Sequence, residues 1–514
     1  MATNSDDSLC LCVKNLENWF PVVMFEGLNV PAYHLVLEIF LGLWVLWLIF
    51  HKSYNPNDLV KLSKKEKEQL IKEWQPEELV SDVPENHRTL NPYILSGKAG
   101  KYITLSGHHC LNLASHNYLG FIGNTEIEEC AVRTLRKYGV GSCGPRGFYG
   151  TVDVHLELEQ KLADYMLMED AVVYSYGFST AASAIPAYSK RGDIIFVDEC
   201  VNFAIQKGLD ASRSTIQFFK HNDVEHLEQL LRAQYEEDIK NPKKAKRTRK
   251  FLVIEGIYLT QGDICPLPEL IEVCKRYKLR IFIDESVSFG TLGAHGRGVT
   301  EYYGVDLADV DLIMCSMEWT LGTIGGFCVG TSFIVEHQRL SGLGYCFSAS
   351  LPPLLATAAI TALELMNRDQ SMFVDLRKKC ELVHSKFQSI EDLKVIGHCY
   401  SPVKYLVFKD HISSGLHSKR TYEAIADYCI KHGVAVITPS YLEDREKLNR
   451  ELQKGIRVTV NRLLTEDEIN HAASVINSAC KEILKCSSDS VVNSNCKDLL
   501  KGYRVSDTLI SAVA

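Results

Sequence analysis

Hydrophobic and polar positions along this chain fall into blocks whose period changes, and the changes mark its elements. The first block, residues 35–50, is apolar apart from Glu38. With Val30, Pro31, Ala32, Tyr33 and His34 in front, it reaches the ~20 residues that cross a hydrocarbon core as a helix. Residues 62–74 follow as a charged helix, with Glu66, Glu68, Lys65 and Lys72 forming a solvated face. Pro76, Pro84 and Pro92 then predict an extended linker into a large body.

In that body, helical periodicity over 126–138, 179–189 and 267–277 alternates with short apolar runs at 171–174, 194–197, 251–255 and 280–284. Apolar runs of this length bounded by turn signals read as buried strands. Their alternation with helices predicts βαβ units and a mainly parallel sheet covered by helices. After Pro352 and Pro353 a long helix leads into runs at 393–396, 404–408, 434–437 and 456–460, the expected strands of a smaller C-terminal α/β lobe. The divisions are then 1–29, a span at 30–51, a linker and arm at 52–115, a large domain at 116–365, a small domain at 366–485 and a polar tail at 486–514. No internal repeat is evident.

Charge places the membrane and excludes nucleic acid as the main partner. The net charge of the 514 residues is −8. The one strong basic run, Lys243, Lys244, Lys246, Arg247, Arg249 and Lys250, reads as a solvated loop, with a nuclear signal or a lipid-headgroup patch as the lesser readings. Asp6, Asp7, Glu17 and Glu26 precede the apolar block, and Lys52, Lys61, Lys64, Lys65 and Lys67 follow it. By the positive-inside rule this puts the N-terminus in the lumen and the body in the cytosol. A cleaved signal peptide fits poorly, because no basic segment precedes the block and no small-residue cleavage site follows it. Glu38 leaves a half-inserted amphipathic anchor open. The seventeen cysteines contain no C-x-x-C pair and no zinc spacing, so no metal site is expected and most read as buried small hydrophobes of a reducing compartment.

The candidate chemistry lies between residues 280 and 327. Arg280, Ile281, Phe282, Ile283, Asp284 and Glu285 form an apolar run ending in acids, followed by Ser288-Phe289-Gly290 and a tight glycine loop from Gly293 to Gly298. Further on comes the loop Met317-Glu318-Trp319-Thr320-Leu321-Gly322, ending at Gly325-Gly326-Phe327. No lysine occurs between Lys278 and Lys378. With the glycine-rich run 138–150 (YGVGSCGPRGFYG), Tyr174-Ser175-Tyr176-Gly177-Phe178, Glu255-Gly256-Ile257-Tyr258 and Phe347-Ser348-Ala349-Ser350-Leu351-Pro352-Pro353, these motifs resemble the α-oxoamine synthase family of pyridoxal-phosphate enzymes. The resemblance covers roughly residues 60–485.

The resemblance implies a fold-type I pyridoxal-phosphate transferase, and it also implies a subunit whose own centre is silent. Such a centre needs a lysine amine, an acid at the pyridinium nitrogen and a group stacked on the ring. Asp284 matches the acid, while Trp319 stands where the lysine belongs. Asn202 stands for the stacking histidine, and Val287 for a second family histidine. Gly177 and Phe178 are vestigial cofactor contacts. The loop carrying Cys143, Gly144 and Arg146, with Ser348 and Ser350, is placed at the dimer interface beside a partner's cofactor, where Arg146 can meet an anion or a partner carboxylate. Arg457 matches the substrate-carboxylate arginine. Each has a bland reading beside it: a turn-capping acid at Asp284, a space-filling Trp319, a structural ion pair at Arg457, packing at Cys143 and a satisfied helix-start histidine at His155. The implied activity is condensation of L-serine with palmitoyl-CoA to 3-ketodihydrosphingosine, with a lysine-bearing partner subunit holding pyridoxal 5'-phosphate covalently. A small activating membrane subunit, Orm-like regulators and the endoplasmic-reticulum membrane complete the expectation. A self-sufficient homodimeric synthase and a membrane scaffold unrelated to sphingolipids are the competing classes.

Overall fold

Strands β5 (Ile194–Asp198), β7 (Lys250–Glu255), β8 (Arg280–Asp284) and β9 (Leu312–Ser316) bury almost every residue. Runs apolar on both faces are stable only inside a sheet covered on both sides. The computed structural model, which describes residues 32–51, 63–76, 79, 90–142, 144–409, 419–440 and 454–488, shows that sheet. With β4 (Asp170–Tyr174), β6 (Thr215–Phe219) and β10 (Gly326–Gly330), it has seven strands in the order β4-β10-β9-β8-β7-β5-β6. The pairs from β6 through β5, β7 and β8 to β9 are parallel, and β10 runs antiparallel to both β9 and β4.

β10 lies where the sequence pattern suggested only a glycine loop. Its Gly326 leaves no room for a side chain: an added Cβ would sit 2.1 Å from Thr180 Oγ1 and 2.8 Å from the Cys315 carbonyl oxygen. The glycine lets helix Gly177–Tyr188 approach the sheet closely there, so a residue that looks like a turn signal marks a buried strand.

The parallel strands share one functional edge. β5, β7, β8 and β9 end at Asp198, Glu255, Asp284 and Ser316, all buried. Ligands of open α/β sheets bind beyond the carboxyl ends of the strands, so the fold itself gathers these polar ends at the place where chemistry is expected.

The smaller lobe departs from expectation. β11 (Leu393–Ile396), β12 (Val403–Phe408) and β14 (Ile456–Thr459) form an antiparallel sheet. The run at 434–437, expected in that sheet, contributes β13 (Val434–Ala435) to a different one, pairing parallel with β3 (His108–Asn112) beside β1 (Leu95–Ser96) and β2 (Tyr102–Leu105). An isolated bridge between Ile437 and Arg457 joins the end of this run to the lobe's sheet. Helix Glu466–Ser488 runs into the segment assigned to the tail, and residues 489–514 lie outside the described residues.

The described residues up to 79 belong to a separate unit whose boundary falls at Val83. Helix Lys64–Glu73 starts at a reciprocal cap: Ser63 Oγ accepts from the Glu66 N–H at 3.3 Å, and Glu66 Oε2 accepts from the Ser63 N–H at 2.7 Å. The apolar block forms helix Ala32–Phe50, nineteen residues long and exposed at its described side chains. The expected span at 30–51 is not confirmed: among the described residues no helix is long and apolar enough to cross a membrane. His34 and Glu38 make the first turns of this helix polar, and residues 30 and 31 lie outside the described set.

Candidate functional site

A cavity of about 300 Å³ opens at the strand ends. Gly177, Phe178, Asn202, Asp284 and Trp319, read separately from the sequence, all line it, with Tyr176, Phe203, Ser286, Ser316 and Glu318. Trp319 packs against the core and forms one wall of the remaining space. Val287 does not join them; it is 1% exposed and packs in the core.

Asp284 is already satisfied by its own chain. It accepts from the Ser286 N–H at 2.9 Å, from Ser286 Oγ–H and from Asn202 Nδ2–H at 3.0 Å. Burial pushes its carboxyl up, against the pull of these donors. Asn202 does two jobs at once, since its Oδ1 also caps helix Phe203–Ser212 by accepting from the Ala204 and Ile205 N–H groups at 2.9 and 3.2 Å. Behind it, Glu255 accepts from the Asn202 and Leu259 N–H groups at 2.5 and 2.9 Å.

Glu318, which sequence reasoning passed over, faces the start of helix Gly177–Tyr188. Its Oε1 lies 3.4 Å from the Gly177 nitrogen, and no side chain caps that helix. Burial pushes the Glu318 carboxyl up, while the Gly177 N–H pulls it down. A helix N-terminus is a ready anion seat, and here a carboxylate of the chain itself stands at it. The signal was available: an acid immediately before Trp319 in the quoted loop.

Trp319 packs against His116, with ring centroids 4.8 Å apart and planes tilted by 31°. Burial and the nearby Arg457 charge hold His116 well below the usual histidine range, so it stacks as a neutral ring. His116 Nδ1 is 2.8 Å from the Tyr118 hydroxyl. Arg457 does not make the expected ion pair: among the described residues no carboxylate bridges it, its Nε is buried without a hydrogen-bond partner, and its Nη2 reaches only the Ala114 carbonyl at 3.4 Å.

The loop assigned to an interface is tied into its own chain. Arg146 is buried and forms a fork with Glu159, at 2.8 and 2.9 Å, so it is not free for an anion or a partner carboxylate as expected. Ser350 stitches the loop: its N–H and Oγ–H both reach the Gly144 carbonyl, its Oγ–H also reaches the Gly150 carbonyl, and its own carbonyl accepts from Ser142 Oγ–H at 2.8 Å. Gly150 must be glycine, because a Cβ there would lie 1.8 Å from the Gly144 oxygen. Ser348 donates to the Gly344 carbonyl and lies 3.1 Å from Ser175 Oγ. Cys143 lies outside the described residues. His155 is fully buried and satisfied, with Nδ1 accepting from the Val152 N–H at 3.1 Å and Nε2 2.6 Å from the Leu351 carbonyl.

Folding also assembles a cluster that no sequence spacing revealed. Ligand-type atoms of Asp198, Cys200 and His221 lie within 4.8 Å of one another. Asp198 accepts from the Cys200 and Asn222 N–H groups, and His221 Nδ1 is 3.0 Å from it; His221 Nε2 is 3.6 Å from Asp263. Burial draws His221 down, but the two carboxylates outweigh it and push it up to about 12. His221 Nδ1 and Asp198 form a charge-assisted hydrogen bond, while Nε2 reaches Asp263 only at ion-pair distance.

Pyridoxal phosphate, the cofactor the resemblance implies, makes demands of which this cavity meets one. Asp284 offers an acid, with one hydrogen bond on its Oδ2, but no lysine lines the cavity and the helix start that would seat a phosphate faces Glu318. The residues present do not fit the group.

Two measurements check this geometry. Arg146→Met leaves the Glu159 charge buried and is expected to destabilise the body by about 3–5 kcal/mol, seen as a lowered unfolding midpoint; an unchanged midpoint would contradict the buried pair. The His221 contribution is fully present below 6.5, its ordinary pKa, and is lost as pH rises toward about 12. His221→Gln is therefore expected to lose most stability below pH 6.5, with the gap to wild type narrowing as pH rises. A gap that stays flat across thermal melts would exclude the ion pair.

Residues 108–476 match the family model for aminotransferase class I and II. Long chain base biosynthesis protein 1b of Oryza sativa subsp. japonica is 39% identical over 458 residues, covering 89% of this chain and 93% of that protein. Serine palmitoyltransferase 1 of Dictyostelium discoideum is 36% identical over 467 residues, covering 88% and 95%. Among solved structures, a Sphingomonas wittichii serine palmitoyltransferase superposes with TM-score 0.66 at 26% identity, over 74% of this chain and 90% of that one. A serine palmitoyltransferase from S. paucimobilis with a bound pyridoxal-phosphate myriocin aldimine gives TM-score 0.67 at 24% identity, over 76% and 91%, and shows the shared fold. A strand-end cavity on this sheet, a family model spanning most of the body and relatives near 40% identity over almost nine-tenths of the chain lead to one conclusion: the chain belongs to the serine palmitoyltransferase 1, or long chain base biosynthesis protein 1, family.

Proposed function

We propose that this chain is the non-catalytic subunit of a heteromeric serine palmitoyltransferase, condensing L-serine with palmitoyl-CoA into 3-ketodihydrosphingosine only together with a lysine-bearing partner, the catalytic long-chain-base subunit two. One observation carries the reading: the cavity has no amine, and Trp319 lines it where the family resemblance puts the lysine. Pyridoxal 5'-phosphate is then held by the partner. This chain contributes a folded body whose loops border the partner's site, with Gly144 and Ser350 fixing the shape of the glycine-rich loop. Small activating membrane subunits and Orm-like regulators complete the proposed assembly.

The apolar helix Ala32–Phe50 supports attachment to the endoplasmic-reticulum membrane, with the body on the cytosolic side. Its exposed Val36, Leu37, Ile39 and Phe40 form a surface that water disfavours and acyl chains accept. Single-pass insertion, with residues outside the described helix completing the span, and a half-inserted anchor are the two forms of attachment we propose for this surface.

The isolated chain is expected to show no turnover of serine with palmitoyl-CoA, and co-expression with the partner to restore it; turnover by the isolated chain would sink the proposal. Deleting residues 1–51 is expected to move most of the isolated chain from the membrane pellet to the supernatant. Retention in the pellet would assign the attachment to another surface.

A further inference from the structure

We infer that the strand-end cavity is a binding site for a small organic cation, a primary or quaternary ammonium on a short apolar body. This goes beyond the proposed subunit role, since it needs neither the partner nor acyl transfer.

Charge is the first argument. Two residues lining the cavity are acids, Asp284 and Glu318, and none is lysine, arginine or histidine. The two acids are not equivalent. Asp284 is nearly enclosed and meets three donors, whereas Glu318 is only half-buried and has a long 3.4 Å contact to the Gly177 nitrogen, with Ser316 beside it. Its charge is the less compensated and projects at the ligand space. An incoming phosphate or carboxylate would meet that charge at the helix start which would otherwise receive it, while an ammonium would gain a charge-assisted hydrogen bond.

The walls supply the second argument. Phe178 and Phe203 pack with centroids 6.0 Å apart, and Trp319 is held by the neutral His116 ring. Aromatic faces attract ammonium groups and form the cages that recognise quaternary amines. Tyr176 and Phe178, 54% and 41% exposed, stand at the mouth, so the space is reachable from solvent. Its volume of about 300 Å³ is at the small end of ligand pockets and limits the apolar body to a few carbons. Lys207 Nζ already lies 4.9 Å from the Phe203 ring centroid, an ammonium on one of these rings. An acid among aromatic rings, with no basic residue in the lining itself, gives the cavity a charge preference opposite to the one an anionic cofactor would require.

The test uses the full-length chain in detergent and ligand-observed NMR with butylammonium, butyrate and inorganic phosphate at equal concentrations. Saturable binding of butylammonium is expected, with butyrate and phosphate at least tenfold weaker. Glu318→Gln is expected to weaken butylammonium about tenfold while leaving the thermal midpoint near wild type. The comparison of the three probes needs no variant, so it stands even if Glu318→Gln perturbs the fold. No binding of butylammonium, butyrate or phosphate binding as tightly, or a folded Glu318→Gln variant with unchanged affinity would each overturn the proposal.

Discussion

A carboxylate taken out of water must be met by donors or give up its charge, and the parallel sheet of this protein creates that problem repeatedly. β5, β7 and β8 end in Asp198, Glu255 and Asp284, all almost fully buried, and Glu285 follows directly. The surrounding loops are arranged as the answer. His221 and the Asn222 N–H serve Asp198, the Asn202 and Leu259 N–H groups serve Glu255, Ser286 and the Asn202 amide serve Asp284, and Ser288 with the Val299 N–H serves Glu285. Away from the sheet edge, the Arg146 fork does the same for Glu159. Burial pushes Glu285 up to about 7, which shows how much compensation these sites require.

That constraint fixes the shape of the strand-end site whatever chemistry the site performs. The Asn202 side chain holds Asp284 and caps a helix, while its backbone N–H serves Glu255, so an asparagine there keeps one buried acid and one helix start in place without any ring to stack. Gly298 belongs to the same arrangement: at φ +96° it sits where a Cβ would lie 2.3 Å from Glu285 Oε2, leaving that carboxylate room to bind the loop.

What could be read from the sequence follows from this. Asp284, Gly177, Phe178, Asn202 and Trp319 line one cavity, and each was legible because it sits at a strand end, a helix start or a loop, positions that local punctuation marks. The parallel strands and helix Leu267–Tyr277 were visible through periodicity. β10 was hidden because its glycines allow close helix packing. The strand at 434–437 was visible, but its sheet was not, because its partner β3 is more than three hundred residues away in sequence. Arg146 was assigned to an anion because exposure is not written in a motif; the fold buries it against Glu159. His221 and Glu318 were missed for a related reason, since what gives each its role is a neighbour remote in sequence, Asp198 for one and Gly177 for the other.

The central claim is that this chain lends form, and not the covalent chemistry, to a shared enzyme. It is tested most directly by reducing the assembled complex with borohydride and locating the fixed pyridoxyl group by peptide mass spectrometry. The account expects the group on a lysine of the partner alone. A pyridoxyl-lysine on any peptide of this chain would contradict it.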